Sequence, residues 1–219
     1  DDEFITLKSD EQNKVSIKSG KVDLAILGNK VDEYPVFPEV ESGQHLSLTV
    51  DALRDLISHT LIAVSYDETK QFLNGILVRN EQDNLVFVST DGYRLALKKQ
   101  GIVPLDDQFS SIVPHKAFSE LNRILQNEAG DKKVQIIISA GQVSFRMDNF
   151  LLISRLIQGQ FPDYNQVIPK ETANSFKISK QAFMAASERA SIIASASNNV
   201  VRFSFDNDNM VLQANAKGL

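Results

Sequence analysis

Few residues of this 219-residue sequence have the types and the spacing that catalysis or metal binding requires. Cysteine is absent, which excludes disulfides, thiolate nucleophiles and cysteine-bound metals. The three histidines, His45, His59 and His115, lack the short spacing of zinc ligands. Asn74 and Gly75 are not followed by the lysine and hydroxyl residue of a phosphate-binding loop. We therefore expect no catalytic residue, no metal site and no cofactor.

Two clusters of acidic residues are the remaining candidates for a metal site. Asp106 and Asp107 are adjacent, and Asp206 and Asp208 flank Asn207. Aspartate and asparagine are also typical of surface turns, where their side chains hydrogen-bond to nearby backbone amides. We interpret both clusters as turns, so the sequence predicts a protein that is not an enzyme.

Composition and charge narrow the class of protein. Hydrophobic residues make up 42% of the chain and include 13 phenylalanines, enough for packed cores. The net charge of −5 argues against a general basic field for nucleic acid. No apolar run approaches the roughly 18 residues of a membrane span, and no signal peptide is evident. We expect a cytoplasmic protein, and both ends look cut, as in a fragment.

Hydrophobic periodicity predicts many short strands and three helices. Helical stripes follow Thr49, Pro114 and Ser179, and the hydroxyl residues among these can cap a helix. A turn at Asp91 and Gly92 is expected between two strands, the second starting at Tyr93. The predicted strands, by alternation and apolar runs, are residues 4–8, 14–18, 22–27, 71–79, 85–90, 93–98, 133–139, 142–147 and 150–156.

The sequence repeats itself with a period of about 125 to 130 residues, too long for a solenoid. Together the matched pairs keep the same order of strand, cap, helix, hairpin and aromatic–proline turn, which chance alignment of β-rich stretches would not give. The pairs are 46–53 (LSLTVDAL) with 176–183 (FKISKQAF), 84–89 (NLVFVS) with 209–214 (NMVLQA), 15–18 (VSIK) with 143–146 (VSFR), and 34–37 (YPVF) with 161–164 (FPDY).

The repeat predicts tandem α+β domains. The chain would hold the end of one domain in residues 1–43, a complete domain in residues 44–172, and the start of a third in residues 173–219. Boundaries fall in polar stretches, and the complete domain would have two helices and many antiparallel strands.

Three segments of the complete domain carry a resemblance to a known family. They are residues 72–77 (FLNGIL), 89–96 (STDGYRLA) and 159–164 (GQFPDY), the last followed by residues 167–169 (VIP). In these segments the sequence resembles the bacterial DNA polymerase III beta subunits, the replicative sliding clamps. The resemblance covers essentially the whole chain, and the family's three similar domains per subunit agree with the repeat.

The resemblance implies a non-catalytic DNA sliding clamp, a processivity factor of DNA replication. Full-length subunits would form a head-to-tail homodimer ring of six domains around duplex DNA, with helices on the inner face and antiparallel sheets outside. Such a ring holds DNA by topology and without sequence preference. It would tether the DNA polymerase III alpha subunit, the clamp loader, other polymerases and repair proteins through short linear motifs. The family works in the cytoplasm, associated with the nucleoid.

The same resemblance implies two sets of site residues. The first set would line an apolar groove for the partner peptides: Leu73, Thr90, Gly92, Tyr93, Arg94, Leu95, Pro162 and Val167. The second set would face DNA: Arg54, Lys70, Lys116 and Arg123. On the first helix we expect Ser58 and Ser65 beside Arg54, and on the second we expect Glu120 to intrude among the cations.

A different class of protein also fits tandem β-rich domains: a generic ligand-binding or adhesion module. Helices at one fixed place in each repeat favour the clamp. The complete gene product would decide, because only a clamp forms a stable dimer that is retained on circular DNA and lost from linear DNA.

Overall fold

The computed structural model of the chain falls into two compact units, residues 1–162 and 163–219. The predicted boundaries after residues 43 and 172 stay predictions. Pro35 and Phe37 of the aromatic–proline repeat, and Asp106, Asn207 and Asp208 of the acidic clusters, lie outside the described residues. Those described are residues 4–34, 36, 40, 42–105, 107–172, 174–206 and 209–215.

The first unit begins with a three-stranded antiparallel sheet. Its strands are β1 (Thr6–Ser9), β2 (Lys14–Ser19) and β3 (Val22–Leu27), in that spatial order. Ser19 pairs with Val22 across the expected hairpin turn. All three predicted strands are present, although β1 is shifted from residues 4–8 to Thr6–Ser9, and most of their side chains are exposed.

The rest of the first unit consists of two successive copies of one pattern, a strand leading directly into a helix and then three strands. The first copy is β4 (Gln44–Thr49), α1 (Val50–Leu61), β5 (Gly75–Glu81), β6 (Asn84–Thr90) and β7 (Leu95–Gly101). The second copy is β8 (Ser110–Pro114), α2 (His115–Leu125), β9 (Lys133–Ile138), β10 (Gln142–Met147) and β11 (Phe150–Arg155). The predicted pair of helices in the complete domain is confirmed.

The two copies exchange their first strands. One four-stranded sheet has the order β11-β10-β9-β4, and the other has the order β7-β6-β5-β8, all antiparallel. Each sheet therefore contains three strands of one copy and the leading strand of the other. Since α1 follows β4 and α2 follows β8, each helix is anchored at its start in the sheet of the opposite copy. This exchange ties the two halves into one domain.

The core lies between the helices and the two sheets. Phe118 of α2 is 1% exposed and packs against Phe87 of β6 and Phe145 of β10, with ring centroids 5.3 and 5.8 Å away. From α1, the side chains of Leu53, Leu56 and Ile57 complete the apolar layer. The helices also contact each other. The apolar stripes read from the sequence are thus the buried faces of both helices.

Local signals explain where the helices begin. The Thr49 hydroxyl accepts a hydrogen bond from the amide of Ala52 at 3.3 Å, which satisfies one of the free amides of the first turn of α1. Pro114 occupies the corresponding position before α2, where the fixed φ of proline suits a helix entry, although it makes no side-chain cap. The capping role predicted for Thr49 is confirmed.

The second unit contains α3 (Lys180–Ser195), β12 (Arg202–Asp206) and β13 (Asn209–Gln213). The predicted cap is present, because the Ser179 hydroxyl accepts a hydrogen bond from the amide of Ala182. The predicted apolar stripe of α3 is only partly buried, and Ile193 is exposed. The helix packs on the β12–β13 hairpin, with the ring of Phe183 against that of Phe203 at 6.0 Å between centroids, and most of its residues stay exposed or half-buried.

Three strand predictions need correction, and the first is that β1 begins at Thr6 and not at residue 4. The predicted strand at residues 71–79 begins with a 3-10 turn (Gln71–Leu73), and β5 starts only at Gly75. A Cβ atom at Gly75 would lie 2.6 Å from the carbonyl oxygen of Val113, so only glycine allows β5 and β8 to pair this closely. The third correction, the start of β7 at Leu95 and not at Tyr93, concerns the candidate site.

Replacing Phe118 by alanine tests whether the aromatic cluster is a main source of the domain's stability. We expect Phe118→Ala to lower the free energy of unfolding by about 3–5 kcal/mol, because it removes a fully buried ring that contacts both sheets. Urea denaturation followed by circular dichroism measures this change. Phe4→Ala, at an exposed phenylalanine, is the control and should stay within about 0.5 kcal/mol of the parent. Equal losses in the two variants would contradict the assignment.

Candidate functional site

Most of the predicted groove residues come together at one end of the β7-β6-β5-β8 sheet. β6 ends at Thr90 and β7 starts at Leu95, and these two residues are paired across the hairpin. Antiparallel pairing of β5 with β6 places the start of β5 at the same end. Leu73, two residues before β5, therefore lies at this end of the sheet as well.

The turn between β6 and β7 is held by two side chains. One carboxylate oxygen of Asp91 accepts hydrogen bonds from the amides of Tyr93 and Arg94, each at 3.0 Å. The Thr90 hydroxyl accepts from the amide of Gly92 at 3.1 Å and donates to the carbonyl of Arg94 at 2.8 Å. Gly92 has φ +94°, a conformation that favours glycine. These bonds replace the strand ladder over residues 91–94, which is why β7 does not begin at Tyr93.

The same carboxylate makes an ion pair within the turn. The second oxygen of Asp91 accepts from Nε of Arg94 at 3.0 Å. The backbone hydrogen bonds from Tyr93 and Arg94, followed by the Arg94 side chain, hold the pKa of Asp91 below its ordinary value. Asp91 therefore stays ionised and keeps all three bonds at neutral pH. The Tyr93 side chain is directed outward and is 98% exposed.

A second wall of this region comes from the chain on either side of Leu73. Leu73 is 5% exposed, and its carbonyl accepts from the amide of Ser65 at 3.1 Å. The segment after β11 passes close by, since a Cβ atom at Gly159 would lie 3.6 Å from Cβ of Phe72. Phe72 is 37% exposed, so part of its ring faces solvent. Pro162, three residues beyond Gly159, ends the first unit and is exposed.

A backbone link holds the segment after β11 at this end of the sheet. Ile157 forms an isolated antiparallel bridge with Ile112 of β8, and its amide donates to the carbonyl of Ile112 at 2.9 Å. This link places the chain that leads to Pro162 against the sheet of Thr90 and Leu95. The first unit thus gathers six of the eight predicted groove residues at this end of the sheet, and the seventh, Pro162, follows three residues after Gly159. The eighth, Val167, belongs to the second unit and is exposed.

The C-terminal end of α1 is tied directly to the β6 strand. The hydroxyl of Ser89 donates a short hydrogen bond to the carbonyl of Thr60, and the Thr60 hydroxyl donates to the carbonyl of Leu56 at 2.7 Å. Both residues are fully buried. Since Ser89 immediately precedes Thr90, this contact fixes the turn of residues 90–94 relative to the helix.

The predicted DNA-facing residues lie on the exposed sides of the two adjacent helices and on the loop between α1 and β5. Lys116 and Arg123 are both exposed and lie two turns apart on one face of α2. Arg54 on α1 is half-buried, and its Nε atom is buried without a hydrogen-bond partner among the described residues. Lys70 is exposed on the loop.

Hydrogen bonds connect that loop to the start of α2. The carbonyl of Asn74 is bonded to Nδ1 of His115 at 2.7 Å and accepts from the His115 amide at 3.1 Å. The ring of Tyr66 packs edge-on against that of His115, at 4.9 Å between centroids. The loop that carries Lys70 is thereby held beside the helix that carries Lys116.

The helix surface carries acidic residues that neutralise its cations. Glu120 accepts from Nε of Arg123 at 3.0 Å, and this hydrogen bond lowers the pKa of Glu120 and raises that of Arg123. On α1, Asp55 pairs with Lys98 of β7 at 2.7 Å, which lowers the pKa of Asp55. Asp51 is also exposed on α1. The combined face of the two helices is therefore close to neutral, and Lys116 is the α2 cation without a carboxylate within 4 Å among the described residues.

The structure corrects one expectation about this face and adds two residues. Ser65 lies beyond the end of α1 and is buried, so it does not share the exposed face with Arg54 and Ser58. Asp55 is not among the predicted residues of α1, and its ion pair with Lys98 joins residues far apart in the sequence, which local patterns do not reveal. Asp91 was recognised only as a turn former. Its spacing to Arg94, three residues on, was the available signal for the ion pair.

Outside this region, a reactive site would need a cluster of metal ligands or a cavity lined by reactive groups. In the ranges given above, no group of three or more histidine, aspartate or glutamate residues could hold a metal ion. A shallow cavity of about 460 Å³ lies between Ser42, Ser110 and Ser139, without a charged lining residue. A second cavity of about 470 Å³ is lined by Asn29, Lys30, Val31, Glu33 and Tyr34. None of the helices that the structure describes is both long and apolar enough to cross a membrane.

Comparisons with known proteins identify the fold. The computed structure resembles that of the Bacillus subtilis DNA polymerase sliding clamp, with a TM-score of 0.82 and 31% identity over 97% of this chain and 59% of that one. It also resembles the Pseudomonas aeruginosa sliding clamp bound to griselimycin, with a TM-score of 0.83 and 27% identity over 97% of this chain and 57% of that one. The α+β architecture is thus that of the DNA sliding clamps.

Sequence comparisons specify the family. Residues 47–163 match the family described as the central domain of the DNA polymerase III beta subunit. The beta sliding clamp of Bacillus subtilis is 35% identical over 91% of this chain and 53% of its own length, and that of Synechococcus elongatus is 34% identical over 95% and 56%. The chain belongs to the DNA polymerase III beta subunit family, the bacterial beta sliding clamps. It spans about half the length of these relatives.

Because the helix face is close to neutral, we predict that removing the Glu120 carboxylate will leave Arg123 as an unpaired cation. We expect Glu120→Gln to strengthen binding of the chain to a short DNA duplex at low salt, because Arg123 is released from its ion pair. The slope of log K against log salt concentration should become steeper by about one unit, the effect of roughly one more phosphate contact. Fluorescence anisotropy with a labelled duplex at several salt concentrations measures both quantities.

Asp23→Asn is the matched control. It makes the same change in charge and releases an exposed lysine, Lys18, from an ion pair on the β1–β3 sheet. We expect no change in the salt slope for this variant. If Asp23→Asn and Glu120→Gln strengthened binding equally, the effect would be one of net charge, and the helices would not be the DNA-facing surface.

Proposed function

We propose that this chain provides the central part of a sliding clamp that encircles duplex DNA and holds polymerases on it through a peptide-binding groove. The observation that carries the proposal is the match of residues 47–163, two helices on two sheets, to the central domain of the beta subunit family. The activity is topological and non-catalytic. The family assignment favours this function over the tandem adhesion module.

The electrostatics of the helix face support a sliding function. A protein that must move along DNA gains from contacts that are weak, sequence-independent and sensitive to salt. On α2, the cation Lys116 is unpaired among the described residues and Arg123 is already bound to Glu120. A ring with such a surface would be retained on DNA by closure and not by affinity. DNA contact by Arg54, Lys70, Lys116 and Arg123 is part of this proposal.

The turn of residues 90–94 supports the proposed peptide groove. It presents an exposed tyrosine and an ordered arginine beside the apolar Leu73 and Leu95. Peptide recognition commonly combines a few apolar anchors with hydrogen bonds to the peptide main chain. A sliding clamp of the same fold, that of Pseudomonas aeruginosa, has been solved bound to griselimycin, so a protein of this fold binds a ligand. Pro162 and Val167 are further lining residues in the proposal.

The partners follow from this groove and from the family. We propose short linear motifs of the DNA polymerase III alpha subunit, the clamp loader and other polymerases and repair proteins as its ligands. The full-length protein would form a homodimer ring, and it would work in the cytoplasm at the nucleoid.

A peptide titration tests the groove. We expect a labelled peptide of the type Gln-x-x-Leu-Phe to bind this chain saturably in fluorescence anisotropy. The double variant Arg94→Ala/Leu95→Ala should weaken binding at least about tenfold, since truncation of central contact residues typically has effects of this size or larger.

The matched control is Arg146→Ala/Leu151→Ala. These two residues are an exposed arginine and a partly exposed leucine that pair across β10 and β11 on the other sheet. The control should bind the peptide like the parent chain. Equal binding by the parent and the Arg94/Leu95 variant would contradict the location of the groove, and the absence of any binding would contradict its presence in this chain.

A further inference from the structure

The turn at residues 90–94 owes its shape to side chains, and one of them is not among the predicted groove residues. Over this stretch the amides of Gly92, Tyr93 and Arg94 donate to the side chains of Thr90 and Asp91. Asp91 accepts two of these three bonds and also the bond from Arg94 Nε. It is the group with the largest number of contacts in the turn.

The ion pair also determines how Arg94 faces solvent. Its Nε is used by Asp91, and the two terminal nitrogens of its guanidinium have no hydrogen-bond partner among the described residues. The Arg94 side chain is 62% exposed. Because guanidinium geometry is planar and rigid, fixing Nε fixes the direction of the remaining donors. Those donors suit the carbonyl oxygens of an extended peptide.

We infer that Asp91 is a positioning residue of the peptide groove, whose carboxylate folds the turn so that Tyr93 and Arg94 face the incoming peptide. The inference rests on the proposed function. A loop that adopts the binding conformation only part of the time binds with an affinity reduced by that fraction. Asp91 thus raises affinity by keeping the turn in one conformation before the peptide arrives, without touching the peptide itself.

Three substitutions separate the hydrogen bonds of the turn from the charge of Asp91. Asp91→Ala removes every contact. Asp91→Asn keeps an oxygen that accepts from the amides of Tyr93 and Arg94, but its amide nitrogen cannot accept from Arg94 Nε. Asp91→Glu keeps the charge but carries the carboxylate one methylene too far out to cap both amides. The readouts are peptide affinity and hydrogen exchange at the amides of Tyr93 and Arg94.

We expect Asp91→Ala to weaken binding of the Gln-x-x-Leu-Phe peptide about tenfold, as for a turn that is ordered one-tenth of the time. Hydrogen exchange at the two amides should accelerate in the same variant. Asp91→Asn should restore slow exchange and bring the affinity to within about threefold of the parent. Asp91→Glu should restore neither.

Asp10→Ala is the matched control, because Asp10 also accepts two backbone hydrogen bonds, from Gln12 and Lys14, in the hairpin between β1 and β2. We expect it to leave peptide affinity unchanged. An Asp91→Ala variant with parental affinity would overturn the inference, and so would rescue by Asp91→Glu in place of Asp91→Asn. The Asn and Glu variants keep the test decisive even if the alanine variant does not fold.

The experiment distinguishes failure of the inference from failure of the proposed function. If the parent chain binds no peptide, the proposed groove is absent. If the parent binds and Arg94→Ala/Leu95→Ala does not, but all three Asp91 variants bind like the parent, the groove stands and the role of Asp91 is refuted.

Discussion

The packing of Phe118 between Phe87 and Phe145 is the contact on which the rest of the domain depends. Each of the two sheets contributes one ring, and α2 contributes the ring between them. An aromatic residue in this position buries a large apolar area and prefers tilted contacts of the kind observed. With the apolar stripe of α2 committed to this cluster, the opposite stripe, with Lys116 and Arg123, must face solvent. The packing of the core therefore determines that Lys116 and Arg123 lie on the solvent-facing side of α2.

The repeat, the helices and most strands could be predicted from the sequence. Helical stripes with a hydroxyl cap at Thr49 and Ser179 were reliable because caps and apolar spacing act locally. The exchange of β4 and β8 between sheets was not predictable, since it depends on pairing between residues about 30 to 95 positions apart. Strand β8 itself is five residues long, so its period-2 signal was too short to detect.

The candidate site was predicted only in part, because local signals identify its segments but not the long-range contacts between them. The segments around Leu73, Thr90 and Pro162 were identified by resemblance, and sheet topology explains why the first unit brings them together. The start of β7 was misplaced because Asp91 and Thr90 satisfy the backbone amides that a strand would otherwise use, an effect of side-chain competition with the ladder. On α1 the prediction named only the cation Arg54 and the serines, and it did not include the carboxylates of Asp51 and Asp55 on the same helix.

The two proposed surfaces share one set of supporting bonds. The end of α1 is joined to β6 through Thr60 and Ser89, and the start of α2 is joined to the loop after α1 through His115 and Asn74. The same end of the domain therefore fixes the turn of the groove and the helix surface that would face DNA. Sites built on packed elements are held more accurately than sites on free loops. A partner held at the groove would then have a fixed orientation relative to the helices of the same domain, which is the geometry a tether for a polymerase requires.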